Sequence, residues 1–296
     1  MLGHIVVWDV RNPQPPISVT VPSASFNHTC SIIRLQLVGS KGNHSLMSVS
    51  QDGHVNFWED VAWKRKSTAT PHRPVALTCA AIPASTTSSD VVRLWAGSVS
   101  GELLHGVTSN GKIRFEAINT LYVCSLEGSG AGLASHHLTT RSGLVQCADV
   151  HPAHADASVS NLIVTGSVDG TCAVHSASSA LELDGFFTDS INDVQWNPMY
   201  SYLFAAVESS GVVSVWDVTA SLSSPFVSHN FEETSSKKAK GGKTGLFCLA
   251  WDPNGERLIL GSSHGDVFVL SLSVPRYENA DEVLLKWVYN TFREHQ

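Results

Sequence analysis

A glycine that ends a short turn, followed at once by four or five residues of apolar or alternating character, recurs six times along this chain. The copies are Gly3-His-Ile-Val-Val-Trp8, Gly53-His-Val-Asn-Phe-Trp58, Gly101-Glu-Leu-Leu-His105, Gly170-Thr-Cys-Ala-Val-His175, Gly211-Val-Val-Ser-Val-Trp216 and Gly265-Asp-Val-Phe-Val-Leu270. Successive glycines stand between 41 and 69 residues apart, so the chain is built from one repeated unit. A unit of that size holds a few short strands and cannot bury its apolar face alone. Neighbouring copies must stack, which makes a single repeat domain the economical reading of 296 residues.

Upstream of each glycine from the second onward lies another apolar run: Ser45 to Ser50, Arg93 to Gly97, Asn161 to Thr165, Tyr202 to Ala206 and Arg257 to Gly261. Two such runs joined by Asp-Gly, Ser-Gly or His-Gly predict a β-hairpin. Asp52 and Asp169 sit just before their glycines, where a carboxylate can accept hydrogen bonds from the turn backbone; Gly53, Gly170, Gly211 and Gly265 supply the backbone freedom. A third run precedes the hairpin and stops at a proline: Val75 to Pro83, Leu144 to Pro152, Ile191 to Pro198 and Leu246 to Pro253. Proline has no N–H to donate to a ladder and ends the strand. The segment after the third strand, such as Asp217 to Val227, has room for a fourth. Four antiparallel strands per unit at this spacing predict the blades of a β-propeller, an all-β fold.

Runs such as Val194-Gln-Trp-Asn-Pro198 and Leu249-Ala-Trp-Asp-Pro253, followed by a third strand closing on Trp216-Asp217, resemble WD40 repeats. The copies are degenerate, since only Trp8-Asp9 and Trp216-Asp217 keep the signature dipeptide. Trp58, Trp196, Trp216 and Trp251 fall at repeat positions on strands and are expected to pack between blades.

The blade count is uneven at the front. Gly3 to Trp8 reads as a third strand with no first or second before it, giving a partial blade over residues 1–27, and five units with all three strands follow. A closed propeller completes its last blade with a strand from the other terminus, which removes open edges. The expectation is therefore a propeller over 1–278 that is truncated at its N-terminus and forms part of a seven-bladed ring; a six-bladed ring with a poorly formed first blade is the alternative. Residues 230–245, polar and glycine-containing with Lys237, Lys238, Lys240 and Lys243, are expected to form an inter-blade loop. From 279 to 296 the period changes: Val283, Leu284, Trp287, Val288 and Phe292 form a stripe at helical spacing, predicting a C-terminal amphipathic helix. The lysines and Trp287 are the candidate partner contacts, against the plainer readings of a solvated loop and a helix packed on the propeller.

Read in order, the chain resembles the C-terminal propeller of dynein intermediate chains, the cytoplasmic type more than the axonemal. The matching stretches are Gly3 to Arg11, Val38 to Gly53, Asn161 to Gly170, Asp193 to Pro198 with Leu203 to Val207, and Val274-Pro-Arg276. The resemblance implies a non-catalytic scaffold subunit of a minus-end-directed microtubule motor, located in the cytoplasm on the cytoskeleton or in a cilium or flagellum. It implies docking on the dynein heavy chain tail; in that family light chains and dynactin bind an N-terminal region that these residues do not include. Two departures stand out: the 230–245 loop, and the histidines His105 and His175 where a third-strand tryptophan belongs. A WD40 adaptor or substrate receptor in another complex, such as a ubiquitin ligase, is the second reading, resting on fold alone.

Charged residues make up 15% of the chain and the net charge is -7, so there is no basic field of the kind nucleic-acid binders use. No apolar run approaches a membrane span, and the start lacks the pattern of a signal peptide. No cofactor or metal is expected. Lys240-Gly-Gly-Lys-Thr244 resembles the end of a phosphate-binding loop, but the required glycine five residues before Gly242 is Lys237. Asp149, His151, His154 and Asp156 have metal-capable side chains, yet His151-Pro152 occupies the repeat position of Asn197-Pro198 and reads as a turn. The six cysteines have no zinc spacing and read as small core residues.

Overall fold

A computed structural model describes residues 3–12, 14–16, 18–19, 28–40, 43–59, 64–83, 92–109, 111–118, 121–122, 137–138, 143–152, 162–176, 180–183, 185–231 and 244–293. The chain is built of antiparallel strands with one long helix at its end, the WD40 β-propeller class. It divides into two compact units, one of residues 1–99 and 103–117, the other of 100–102 and 118–296.

In the first unit β1 (Val6–Val7) pairs antiparallel with β2 (Ser18–Val19) as a two-stranded sheet. Next come β3 (Ile32–Ser40), β4 (Asn43–Ser50), β5 (Val55–Glu59) and β6 (Lys64–Pro71), then β7 (Leu77–Ala81), β8 (Arg93–Ser98), β9 (Leu103–Ser109) and β10 (Lys112–Ile118). Each set of four is a meander, as the repeats predict. The two meanders are joined edge to edge because the fourth strands β6 and β10 pair in parallel, Lys112 beside Thr70 and Ile113 beside Pro71, making one eight-stranded sheet. Nothing in the repeat pattern forecasts that seam. The core between them joins aliphatic side chains, Met47, Val49, Val55, Leu77, Leu94, Leu104 and Ile113, to the rings of Phe57 and Phe115, all buried.

The second unit holds the short pair β11 (Leu121–Tyr122) and β12 (His137–Leu138), then two four-stranded blades. The first is β13 (Val145–Val150), β14 (Ile163–Ser167), β15 (Cys172–His175) and β16 (Ala180–Leu183). The second is β17 (Ile191–Trp196), β18 (Leu203–Glu208), β19 (Val212–Asp217) and β20 (Val227–Asn230). The fourth strand β20 begins where the sequence placed its end: Asp217 accepts bonds from the Thr219 amide and hydroxyl at 3.0 and 2.7 Å, holding the chain in a turn there. The last sheet has three strands, β21 (Leu246–Trp251), β22 (Arg257–Ser262) and β23 (Val267–Ser271).

Beyond β23 the chain runs into α1 (Ala280–Arg293), the one helix of that length among the described residues; it is neither long nor apolar enough to cross a membrane. Leu284 and Phe292 are buried against Tyr202, Phe204 and Trp216, and Leu285, Trp287 and Val288 pack around them. Leu284, Trp287, Val288 and Phe292 of the expected stripe thus join this cluster, whereas Val283 is exposed, and the Trp287 ring lies 5.6 Å from that of Phe292. The Tyr277 hydroxyl donates to Asp217 at 2.6 Å and the Tyr202 hydroxyl to the Pro275 carbonyl, fastening the segment that leads into the helix.

Candidate functional site

The repeated turn gathers hydrogen-bonded polar groups in several of its copies. In five of the six copies the glycine takes a positive φ, from +81° at Gly53 to +86° at Gly211, a region open to glycine and strained for other residues. Its amide closes the turn on the carbonyl three residues back in four copies: Gly53 on Ser50, Gly170 on Ser167, Gly211 on Glu208 and Gly265 on Ser262. Where the preceding residue is aspartate it gathers donors. Asp52 accepts from the Thr29 amide (2.9 Å) and hydroxyl (2.8 Å) and from the His54 amide (3.0 Å), with the His28 ring 3.7 Å away. Partial burial pushes the Asp52 carboxyl upward, but His28 and these donors together hold it well below the usual carboxylate range. Asp169 repeats the arrangement, accepting from the Thr171 hydroxyl and amide and the Gly143 amide; burial opposes, the hydrogen bonds win, and its pKa falls to about 2.

A polar relay lies under the first of these turns. The Trp58 indole N–H donates to the Ser48 hydroxyl at 2.9 Å, and the His28 Nε2 lies 2.7 Å from the same oxygen, all three residues being buried. Ser48 stands five residues before Gly53 and Trp58 five after it. The same register in the β13–β16 blade holds Thr165 and His175, whose Oγ1 and Nε2 are 2.8 Å apart. The histidine that departs from the tryptophan pattern therefore keeps the same buried bond with a different ring. His105, the other departure, stacks on Trp95 at 5.0 Å, and burial pushes its imidazole below its ordinary value, helped by the Arg93 charge. Trp216 reaches a closer partner, the Ser214 hydroxyl at 2.9 Å.

Blade is tied to blade by side chains gripping the next blade's backbone. Asp149 accepts the Trp196 amide at 2.8 Å, Asp193 accepts the Leu249 amide at 2.9 Å, and Asn192 and Gln195 donate to the Leu246 and Leu249 carbonyls at 2.6 and 2.8 Å. Trp251 donates its indole N–H to the Gln195 carbonyl at 3.2 Å. Asp149 is thus a structural clamp. His151, buried, places Nε2 2.7 Å from the Ser201 carbonyl and meets Trp196 edge-on at 4.9 Å. His154 and Asp156, the other two members of that candidate cluster, lie outside the described residues, as do Lys237, Lys238, Lys240 and Lys243. No group of three or more metal-ligating side chains occurs among the described residues.

Among the described residues, an exposed apolar face lies on the last sheet of the second unit. Phe247, Ile259, Val267 and Val269 are 54%, 39%, 70% and 60% exposed on one face of β21–β23, while Leu249, Leu258 and Leu260 on the other face are buried against Val213 and Val215. In the β17–β20 blade the residues in the same register as Ile259, Val267 and Val269 are Ala205, Val213 and Val215, and all are buried. The clamping positions of that blade, Asn192, Asp193 and Gln195, correspond to Phe247, Cys248 and Ala250. This face was visible in the sequence only as an alternation of apolar residues, a pattern that inner and terminal blades share.

The family model for the WD domain, G-beta repeat matches residues 178–217, which span the end of one blade and most of the next, in keeping with the WD40 β-propeller fold. Beyond that segment, the chain is similar to the cytoplasmic dynein 1 intermediate chain of Drosophila melanogaster, 26% identical over 279 residues that cover 92% of this chain and 37% of the relative. The chain therefore spans little more than a third of that relative's length, and the similarity supports the resemblance to the WD40 region of dynein intermediate chains.

Proposed function

We propose that the chain is a non-catalytic scaffold subunit of a dynein motor, its blades docking on the tail of the dynein heavy chain to support minus-end-directed transport along microtubules in the cytoplasm. The observation that carries this is the similarity to a cytoplasmic dynein 1 intermediate chain along 92% of the chain. The chemistry is compatible: the hydrogen-bonded aspartates and tryptophans described above serve turns, blade seams and the helix strap, and what reaches the surface is apolar sheet face and mixed polar loops, the material of protein contacts.

Affinity purification of the tagged chain from its own cells tests this. A dynein heavy chain should be recovered reproducibly above a control of unrelated WD40 blades. Recovery of ubiquitin ligase subunits without any dynein subunit would replace the proposal with the adaptor reading.

A further inference from the structure

The longest link within the β17–β20 blade runs from Val218 to Phe226, between β19 and β20. Its two ends are held and its middle is not. The Ser221 amide donates to the Asp217 carbonyl at 3.3 Å, closing the turn that follows β19, and the ladder resumes only where Val227 pairs with Val215. Leu222 packs into the cluster around Trp216 and anchors the link on the blade. Beyond that anchor Ser223, Ser224, Phe226 and Val227 are exposed. The Ser223 amide donates to the Ser221 hydroxyl at 3.2 Å and the two hydroxyls lie 2.9 Å apart; among the described residues the Ser224 hydroxyl has no hydrogen-bond partner.

Ser224 stands before Pro225, whose ring pushes the preceding residue towards an extended backbone. Of the 12 prolines in the chain, two follow a hydroxyl residue, Pro225 after Ser224 and Pro71 after Thr70. Thr70 lies near the end of β6, between β5 and β10, with its amide bonded to the Gly111 carbonyl at 3.3 Å and its backbone beside Lys112. An enzyme could lift that hydroxyl out only by breaking the sheet. Ser224, in the same dipeptide setting, is under no such constraint.

We propose that Ser224 is a phosphorylation site for a proline-directed serine/threonine kinase. Such a kinase lays its substrate extended across the cleft, with the acceptor hydroxyl in line with the γ-phosphate of ATP. Its pocket for the next residue fits a ring that offers no N–H, and Pro225 supplies that ring. The Ser224 Oγ attacks the γ-phosphorus, the bond from that phosphorus to the bridging oxygen breaks, ADP leaves, and the hydroxyl proton passes to the catalytic aspartate of the kinase. From Ser142 to Ser236 the chain contains no lysine or arginine, so neither β13–β16 nor β17–β20 has such a cation to pair with the phosphate. Its charge, about −1.5 to −2 at pH 7, is left to a cation outside these blades. The inference goes beyond the dynein reading and does not depend on it.

The folded 296-residue chain is incubated with magnesium ATP and an active mitogen-activated protein kinase, and the sites are mapped by peptide mass spectrometry. Phosphate should appear on Ser224 and not on Thr70. Ser224→Ala should abolish it, Pro225→Ala should lower the initial rate about tenfold or more, and Ser223→Ala should leave the rate unchanged. Hydrogen exchange of the β19 and β20 amides checks that the variants keep the blade, and mapping the unaltered chain tests the inference whatever the variants do. The Ser224 phosphopeptide should also be recovered from the chain's own cells when their serine/threonine phosphatases are inhibited. An unmodified Ser224 on the folded chain overturns the proposal. So does a rate that Pro225→Ala leaves intact in a folded variant, phosphate on Thr70 as fast as on Ser224, or a Ser224 that carries no phosphate in those cells.

Discussion

Removing one side chain from the C-terminal helix separates a helix that is part of the blade from a helix held ready for something else. Leu284 is 1% exposed in the cluster that contains Tyr202, Phe204 and Trp216, whereas its neighbour Val283 is 38% exposed. Leu284→Ala deletes three carbon atoms; at about 0.8 kcal/mol for each buried CH2 the transfer loss is about 2.4 kcal/mol. The cavity left beside the rigid indole of Trp216 adds to it, so the total should come to about 3 kcal/mol, within the range of about 2–5 kcal/mol for such changes. Val283→Ala, already solvated, should cost under about 0.5 kcal/mol. Native-state hydrogen exchange reads this locally, through the opening free energy of the α1 amides, and avoids assuming that the two units unfold together. Equal, small effects of the two substitutions would refute the docking of the stripe and return Trp287 and its neighbours to the pool of partner contacts.

Three further outcomes follow from the turns and the strand that closes on tryptophan. Ser214→Ala strands the fully buried Trp216 N–H and should cost about 1–3 kcal/mol in a denaturant melt, while Ser223→Ala, on the exposed turn, should cost almost nothing. Gly211→Ala forces a side chain into φ +86° and should lose about 1–2 kcal/mol by the same assay, with Gly185→Ala, which meets nothing within 4 Å at φ +76°, isolating the backbone strain from any clash. Asp169 has its folded pKa lowered to about 2 from 3.8, so its contribution to stability is fully present above pH 3.8 and is lost as pH falls towards 2. Because the carboxylate is largely exposed the effect is screened, and Asp169→Asn should flatten that part of the stability profile only modestly; a steeper acid loss in the variant would contradict the assignment.

The parts of this fold that were legible in the sequence are those decided within about ten residues. A tight hairpin needs a positive φ, only glycine supplies it cheaply, and the strands on either side must alternate; five of the six predicted glycines duly have that conformation, and the strands start within a few residues of the expected positions. Most of the helical stripe was legible for the same reason, since period marks the buried side, but Val283, which the period placed on it, is exposed. What escaped was decided by partners distant in sequence. The parallel seam of β6 with β10 depends on where two edges come to lie, and no local pattern encodes it. The exchange of Trp58 and Ser48 for His175 and Thr165 looked like decay of the repeat, because a motif records residue types while the blade conserves a buried donor and acceptor at fixed register. The terminal face is the sharpest case. Val213 and Val267 occupy one register and are both valine, yet one is buried and the other 70% exposed. Their neighbours carry the difference: an inner blade places Asn192, Asp193 and Gln195 where they can hold the next backbone, and the last blade places Phe247, Cys248 and Ala250 there. Loss of the clamps, more than the presence of apolar residues, is what marks a blade whose next neighbour is not held in the same way.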